Sequence, residues 1–240
     1  MPYRVRAGSQ EEKIGRLILA GVLVTFLPSV PLGNYLLYPF TILTTWFHEM
    51  GHGLTGVMLG MNFEQLVITP NGSGYAETTS SQEIGNVQRA LIAAGGPLGP
   101  SLMGALLILA SSRHQWWKPA LLALAAALVG STLIWVRSIT GLVVLPLVAA
   151  TLVWIALKGK DWLVLFAVQF LGVLAALSMF RDWDYLFSES GVIAGRTMVS
   201  DTGAMEQALV LPHWIWASLI IILSGLMIGT SLKYALNREG

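Results

Sequence analysis

The chain has 240 residues, 55% of them hydrophobic and 11% charged, with a net charge of +1 and a mean hydropathy of +0.67. Soluble domains carry roughly 25% charged residues, so this composition excludes a soluble globule, and the near-zero net charge offers no basic surface for nucleic acid. There is no cysteine, which excludes disulfides and thiolate-bound metal.

Residues 1–13 are polar and mixed in charge (Arg4, Arg6, Glu11, Glu12, Lys13) and are expected at the membrane surface, with no signal-peptide cleavage site after them. Residues 14–30 form a first apolar segment, short for a span, and Pro28, Pro31, Gly33 and Asn34 then make a turn. Residues 35–61 are long enough to cross a bilayer as a helix, for which about 20 apolar residues suffice. Tyrosines aside, their only ionisable side chains are His48, Glu49 and His52. A charged group in hydrocarbon costs on the order of a few kcal/mol, which marks these three as functional.

Residues 63–79 change character. Strand-forming residues, the turn sequence Pro70-Asn71-Gly72-Ser73-Gly74 and a return segment predict a short β-hairpin, with a surface loop as the alternative. Residues 87–111 form the next span and carry Gly95, Gly96, Pro97, Gly99 and Pro100. Small residues let another backbone approach closely, and proline frees backbone groups. The two readings there are a packed, kinked helix and a face against the active site. Further apolar blocks at 119–136, 139–157 and 162–179 are separated partly by Trp beside Lys or Arg, an interfacial composition. A long polar connection, 180–212, precedes a last apolar block, 214–232. The expected fold is therefore all-α and polytopic, with about seven transmembrane helices and a short hairpin after the motif helix. Lys and Arg divide almost evenly between the two sides of such a chain and set no orientation.

On a helix, His48 and His52 lie on one face a turn apart. Two imidazoles at that spacing can share a tetrahedral Zn²⁺, and Glu49 beside them can act as general base on a water that the metal activates. A catalytic zinc takes a third protein ligand. The extended pattern HExxHxxGxxH stops here, because positions 55 and 58 are Thr55 and Met58. The remaining ligand must come from farther along the chain, and the candidates are His114, Asp161, Asp182, Asp184, Asp201 and His213. Asp201 stands at a break between polar and apolar sequence and suits a ligand or a helix N-cap equally. Asp182 and Asp184 flank Trp183 and read as interfacial.

His48-Glu49-Met50-Gly51-His52 in an apolar helix, the hairpin after it, and Ala94-Gly95-Gly96-Pro97-Leu98-Gly99 together resemble the site-2 protease family of intramembrane zinc metallopeptidases, in a compact and divergent branch. The resemblance covers residues 40–109 and, more loosely, the region around Asp201. It implies one peptidase-like transmembrane domain over 1–240, one Zn²⁺ per chain held by His48, His52 and Asp201, and Glu49 as catalytic base. It also implies that Gly95, Gly96 and Pro97 lie at the substrate-binding face. The implied activity is hydrolysis of transmembrane protein substrates within or near the bilayer. Two departures stand out: Asp201 is followed by Thr202-Gly203 rather than directly by Gly, and no loop is long enough for an extramembrane regulatory domain. The alternatives are a catalytically inactive zinc-binding protein that chaperones membrane partners, against which Glu49 argues, and a metal transporter, against which the nearly bare other spans argue. The expected location is a bacterial inner membrane or an organelle membrane of bacterial descent. The expected partners are a transmembrane substrate and the lipid bilayer, without nucleic acid. The sequence sets no oligomeric state.

Overall fold

A computed structural model describes residues 10–193 and 195–237; the expectation for Arg4 and Arg6 lies outside them. Helix α1 (Gln10–Phe26) ends in a 3₁₀ turn, Leu27–Ser29, where Pro28 removes a backbone donor. Leu32 then takes a left-handed conformation (φ 66°), and Gly33 opens α2 (Gly33–Met58). A Cβ at Gly33 would lie 1.7 Å from the Leu27 carbonyl oxygen, so only glycine fits this corner. The two helices meet at 118°.

This bend bears on the span count. The apolar blocks at 14–30 and 35–61 are both helical, but they form one broken pair. Among the described residues, five other helices are each long and apolar enough to cross a membrane, giving up to six crossings if the bent pair counts as one, against the expected count of about seven. These five are α3 (Asn86–Ser111), α4 (His114–Ile134), α5 (Ile139–Lys158), α6 (Asp161–Arg181) and, at the end of the chain, α9 (His213–Asn237). Helix α3 is the hub, packed against α2, α6 and α9. Helix α6 is apolar on every side and the most enclosed of the spans, as expected for a helix surrounded by protein. Val164, Val168, Leu171 and Leu174 are all buried in the core.

The hairpin is present as β1 (Asn62–Ile68) and β2 (Gly74–Thr79), antiparallel, with a register irregularity between Phe63 and Gln65. It is more deeply integrated than a surface loop. Leu66 and Ile68 are fully buried, and Phe63 stacks on Trp135 at 4.8 Å. The outer edge of β1 is closed by the connection between α4 and α5. The Leu66 N–H donates to the Trp135 carbonyl (2.8 Å), the Arg137 N–H donates to the Leu66 carbonyl (3.0 Å), and the Ile68 N–H donates to Ser138 Oγ (2.9 Å). A strand edge in a membrane protein needs such partners.

The polar connection 180–212 holds more structure than its composition suggested. A four-residue helix, α7 (Trp183–Leu186), leads into a second hairpin, β3 (Ser190–Ile193) and β4 (Arg196–Val199), with Ser190 opposite Val199. Helix α8 (Asp201–Ala208) follows immediately and packs on α3 and α9.

Candidate metal centre and active site

Helix α2 is anchored on one side by Trp46 and Phe47, which are buried in the core, with Trp46 Nε1 donating to Ser131 Oγ (2.9 Å). That leaves the His48 and His52 rings on the opposite side, 4.9 Å apart between centroids, with their Nε2 atoms 3.1 Å apart. The chain from α3 comes close there. Cβ atoms at Gly51 and Gly95 would each collide with the other helix's backbone, at 2.1 Å and 2.6 Å, and a Cβ at Gly96 would lie 2.1 Å from His52 Nε2. Gly95 and Gly96 thus let α3 close on the motif. Pro97 is buried within α3.

Asp201 arrives from α8. Ser200 is the N-cap: its Oγ accepts from the Gly203 N–H (3.0 Å) and donates to the Ser188 carbonyl, while Thr202 Oγ1 donates to the Leu186 carbonyl (2.7 Å). Because Ser200 caps the helix, the Asp201 carboxylate is free to face α2. Its oxygens lie 3.0 Å from His48 Nε2 and 3.2 Å from His52 Nε2. The other candidates go elsewhere. His114 and Asp161 pair with each other (3.4 Å) at exposed positions. His213 Nδ1 bonds Glu206 (2.7 Å), and these two with Glu189 form a second group with potential ligand atoms within 4.8 Å of one another. Asp184 is exposed, whereas Asp182 lines the mouth of the cavity described below.

His48, His52 and Asp201 together could hold a metal ion, and their geometry suits zinc. Bonds of 2.0–2.1 Å in a tetrahedron set ligand atoms about 3.3 Å apart; here the two Nε2 atoms are 3.1 Å apart, and each lies 3.0–3.2 Å from one oxygen of the Asp201 carboxylate. His52 Nδ1 donates to the Ile92 carbonyl at 2.7 Å, which leaves Nε2, 3.2 Å from Asp201, as the ring nitrogen available to a metal. An outer hydrogen bond of this kind is what fixes the tautomer of a metal-ligating histidine. Asp201 Oδ2 is a buried oxygen that no aligned hydrogen bond satisfies, although His48 Nε2 lies 3.0 Å away. Two imidazole nitrogens and a carboxylate converging in a buried site need a cation among them, either a metal ion or a proton.

These groups sit in a cavity of about 750 Å³, whose walls include Glu49, Tyr75, Ala76, Tyr185 and Met198. Glu49 is 6% exposed and approaches β2, where a Cβ at Gly74 would lie 3.2 Å from its Cγ. In the hairpin register Leu66 opposes Ala76. Both main-chain groups of Leu66 point outward to Trp135 and Arg137, so this is a non-hydrogen-bonded pair, and the Ala76 N–H and C=O also point outward, on the other edge. That edge faces Glu49, which the Ala76 backbone reaches. Sequence reading missed the second hairpin and Tyr185, and it left the cap of α8 undecided between Ser200 and Asp201. Burial pushes the Tyr185 phenol up, as do the nearby Asp201 and Glu49 carboxylates, so it stays protonated.

Residues 17–231 match the Peptidase M50B-like family. The chain belongs to that family. It is a site-2 protease family, membership implies an intramembrane metalloprotease, and with five or six apolar helices the chain is a multi-pass membrane protein. No curated protein and no solved structure matched the chain.

Proposed function

We propose that this protein is an intramembrane zinc endopeptidase that hydrolyses peptide bonds of membrane-protein substrates. The observation that carries this is the convergence of His48, His52 and Asp201, from helices almost 150 residues apart in sequence, beside the buried Glu49. His48, His52 and Asp201 would hold one Zn²⁺, and bound zinc supplies Lewis-acid activation of water at neutral pH. Glu49 takes a proton from the attacking water and passes it to the leaving amine nitrogen, so it is regenerated in each turnover. The outward edge of β2 at Ala76, whose backbone reaches Glu49 when no substrate is there, would offer main-chain pairing to an extended substrate as an added strand in exchange for that contact. A helical substrate must unwind to use that edge, because its carbonyls are already bonded within the helix. Gly95, Gly96 and Pro97 would border the bound substrate, where Gly95 and Gly96 also let α3 close on the metal helix. The apolar exterior fits a lipid bilayer, and the small loops favour a bacterial inner membrane or an organelle membrane of bacterial descent.

The test is metal content together with cleavage of a designed single-span peptide in liposomes. Wild type is expected to hold about one zinc per chain. Glu49→Gln should keep the metal and lose cleavage by about 10²–10⁴-fold, the usual contribution of a general base. Asp201→Ala should lose zinc. A Glu49→Gln protein that cleaves normally refutes the mechanism, and an Asp201→Ala protein with full zinc removes Asp201 from the ligand set. If Glu49→Gln and wild type bind zinc alike and neither cleaves any membrane peptide, the inactive zinc-binding reading replaces this one.

A further inference from the structure

The tyrosine in the cavity wall has no place in the chemistry above. Tyr185 belongs to α7, a helix too short to be stable alone, but its position is fixed from several sides. Leu186 beside it is buried. The Leu186 carbonyl accepts from Thr202 Oγ1 at 2.7 Å, and the Tyr185 carbonyl accepts from Ser188 Oγ at 2.8 Å. The ring itself lies against β3, where a Cβ at Gly191 would come within 2.9 Å of Cδ2 and 3.0 Å of Cε2. Glycine at 191 therefore allows the ring to lie where it does. The same network that ties α7 to α8 also places Asp201, so the phenol and the third proposed zinc ligand are held in one frame.

The orientation of the hydroxyl follows from its neighbours. The Asp201 backbone N–H neighbours the Tyr185 oxygen. It is one of the amides of the first turn of α8 that have no partner within the helix. With that N–H beside its oxygen and the phenol in the cavity wall with the motif residues, the O–H is placed to donate into the cavity. An N–H donating to a hydroxyl also strengthens that hydroxyl as a donor. The cavity it faces is the one lined by His48, Glu49, His52 and Asp201.

We propose that Tyr185 is a further catalytic residue, whose O–H donates a hydrogen bond to the oxygen of the scissile peptide carbonyl as negative charge develops there. The bond strengthens as the carbonyl carbon becomes tetrahedral, and the O–H bond of the tyrosine stays intact throughout. This inference rests on the endopeptidase reading above. The position is suitable because a donor already held in place needs no reorganisation when the charge appears.

The decisive comparison uses the full-length protein in liposomes with Tyr185→Phe, which removes one oxygen and keeps the ring against Gly191. The expected result is a kcat lower by about 10²–10³-fold, the loss seen when one oxyanion donor is removed, with KM and zinc content unchanged. The second readout is binding. A phosphinic-acid peptide, which carries a tetrahedral anionic centre, should bind Tyr185→Phe more weakly by a similar factor. In the Glu49→Gln background, where nothing is cleaved, Tyr185→Phe should bind the parent peptide as tightly as Glu49→Gln alone. A kcat within about threefold of wild type, or unchanged phosphinate affinity, overturns the assignment. Loss of zinc in Tyr185→Phe also overturns it, because the phenol would then act by positioning Asp201. A wild type without Glu49-dependent cleavage overturns the endopeptidase reading, and this proposal with it. A wild type that cleaves as expected beside an equally active Tyr185→Phe removes Tyr185 alone.

Discussion

Gly96→Ala tests the metal centre from the side that carries no ligand. A Cβ at this position would lie 2.1 Å from His52 Nε2, 2.3 Å from its Cε1 and 2.7 Å from His48 Nε2, whereas ordinary contact begins at 3.4 Å. The shortfall at the nearest atom is about 1.3 Å, deep in the repulsive range of any atom pair. Two responses are open. The imidazoles can turn away, but metal sites tolerate ligand displacements of only about 0.2 Å, and turning His52 also breaks its bond to the Ile92 carbonyl (2.7 Å). Alternatively α3 can back away from α2, which costs about 1–3 kcal/mol as overpacking and opens the Gly51–Gly95 approach. Either response should lower zinc affinity by about 100-fold or more, since losing an outer hydrogen bond alone costs 10–100-fold. Competition against a chelator of known affinity measures this directly. Gly130→Ala is the control, because nothing lies within 4 Å of a Cβ there, and it should leave zinc binding unchanged. A Gly96→Ala protein that binds zinc as wild type does would refute the proposed closeness of α3 to the two histidines.

Two further outcomes test the frame that carries Asp201. Ser200→Ala removes the cap of α8 and the donor to the Ser188 carbonyl. It should cost about 1–2 kcal/mol and weaken zinc binding, both checked by thermal unfolding with and without metal; an unchanged melting profile would sink the capping argument. Glu206 accepts from the His213 backbone N–H (3.0 Å) and from its ring Nδ1 (2.7 Å), and these bonds hold its carboxyl below the usual carboxylate range. A depressed carboxyl contributes its stabilisation above the unfolded value of about 4.3 and loses it as pH falls through the lower folded value. Amide-exchange protection at the junction of α8 and α9, corrected for intrinsic rate, should therefore fall on acidification below about pH 4. Glu206→Gln should remove that step, and a step that persists in the variant would place its origin elsewhere.

The motif helix was readable because both of its signals are local: an uninterrupted apolar stretch, and three ionisable residues at helical spacing within it. The glycines of α3 were readable for the same reason, since small residues at close spacing announce a close approach before the partner is known. What could not be read depends on distant contacts. The apolar blocks at 14–30 and 35–61 look like two spans, and only the corner at Leu32 and Gly33, packed on the Leu27 carbonyl, makes them a pair bent by 118°. The second hairpin has strands of four residues with Gly191 in β3 and Gly195 in the turn, too short for alternation to show. Between Ser200 and Asp201, either side chain can cap a helix. The decision falls to the Ser188 carbonyl, which engages Ser200, and to the histidines, which face Asp201. Tyr185 gives no signal in sequence, because a tyrosine between Trp183 and Phe187 reads as interfacial.

The hairpin links these parts to what the site can accept. A strand edge exposed to hydrocarbon leaves main-chain groups without partners, each costing several kcal/mol. The fold removes that cost on one side by bonding Leu66 to Trp135 and Arg137. By the alternation of an antiparallel pair, the same bonds turn the Ala76 N–H and C=O toward the cavity beside Glu49. Closing one edge therefore determines which groups remain on the other, and places them where the proposed base is. A chain segment that pairs with Ala76 must be extended, so it must already have left its helix or be easily drawn out of it. Selection among substrates would then act on how readily a helix unwinds near the site. Glycine or proline near the cleaved bond would promote that step through the cost each imposes on a helix, without contacting any side chain of the protein.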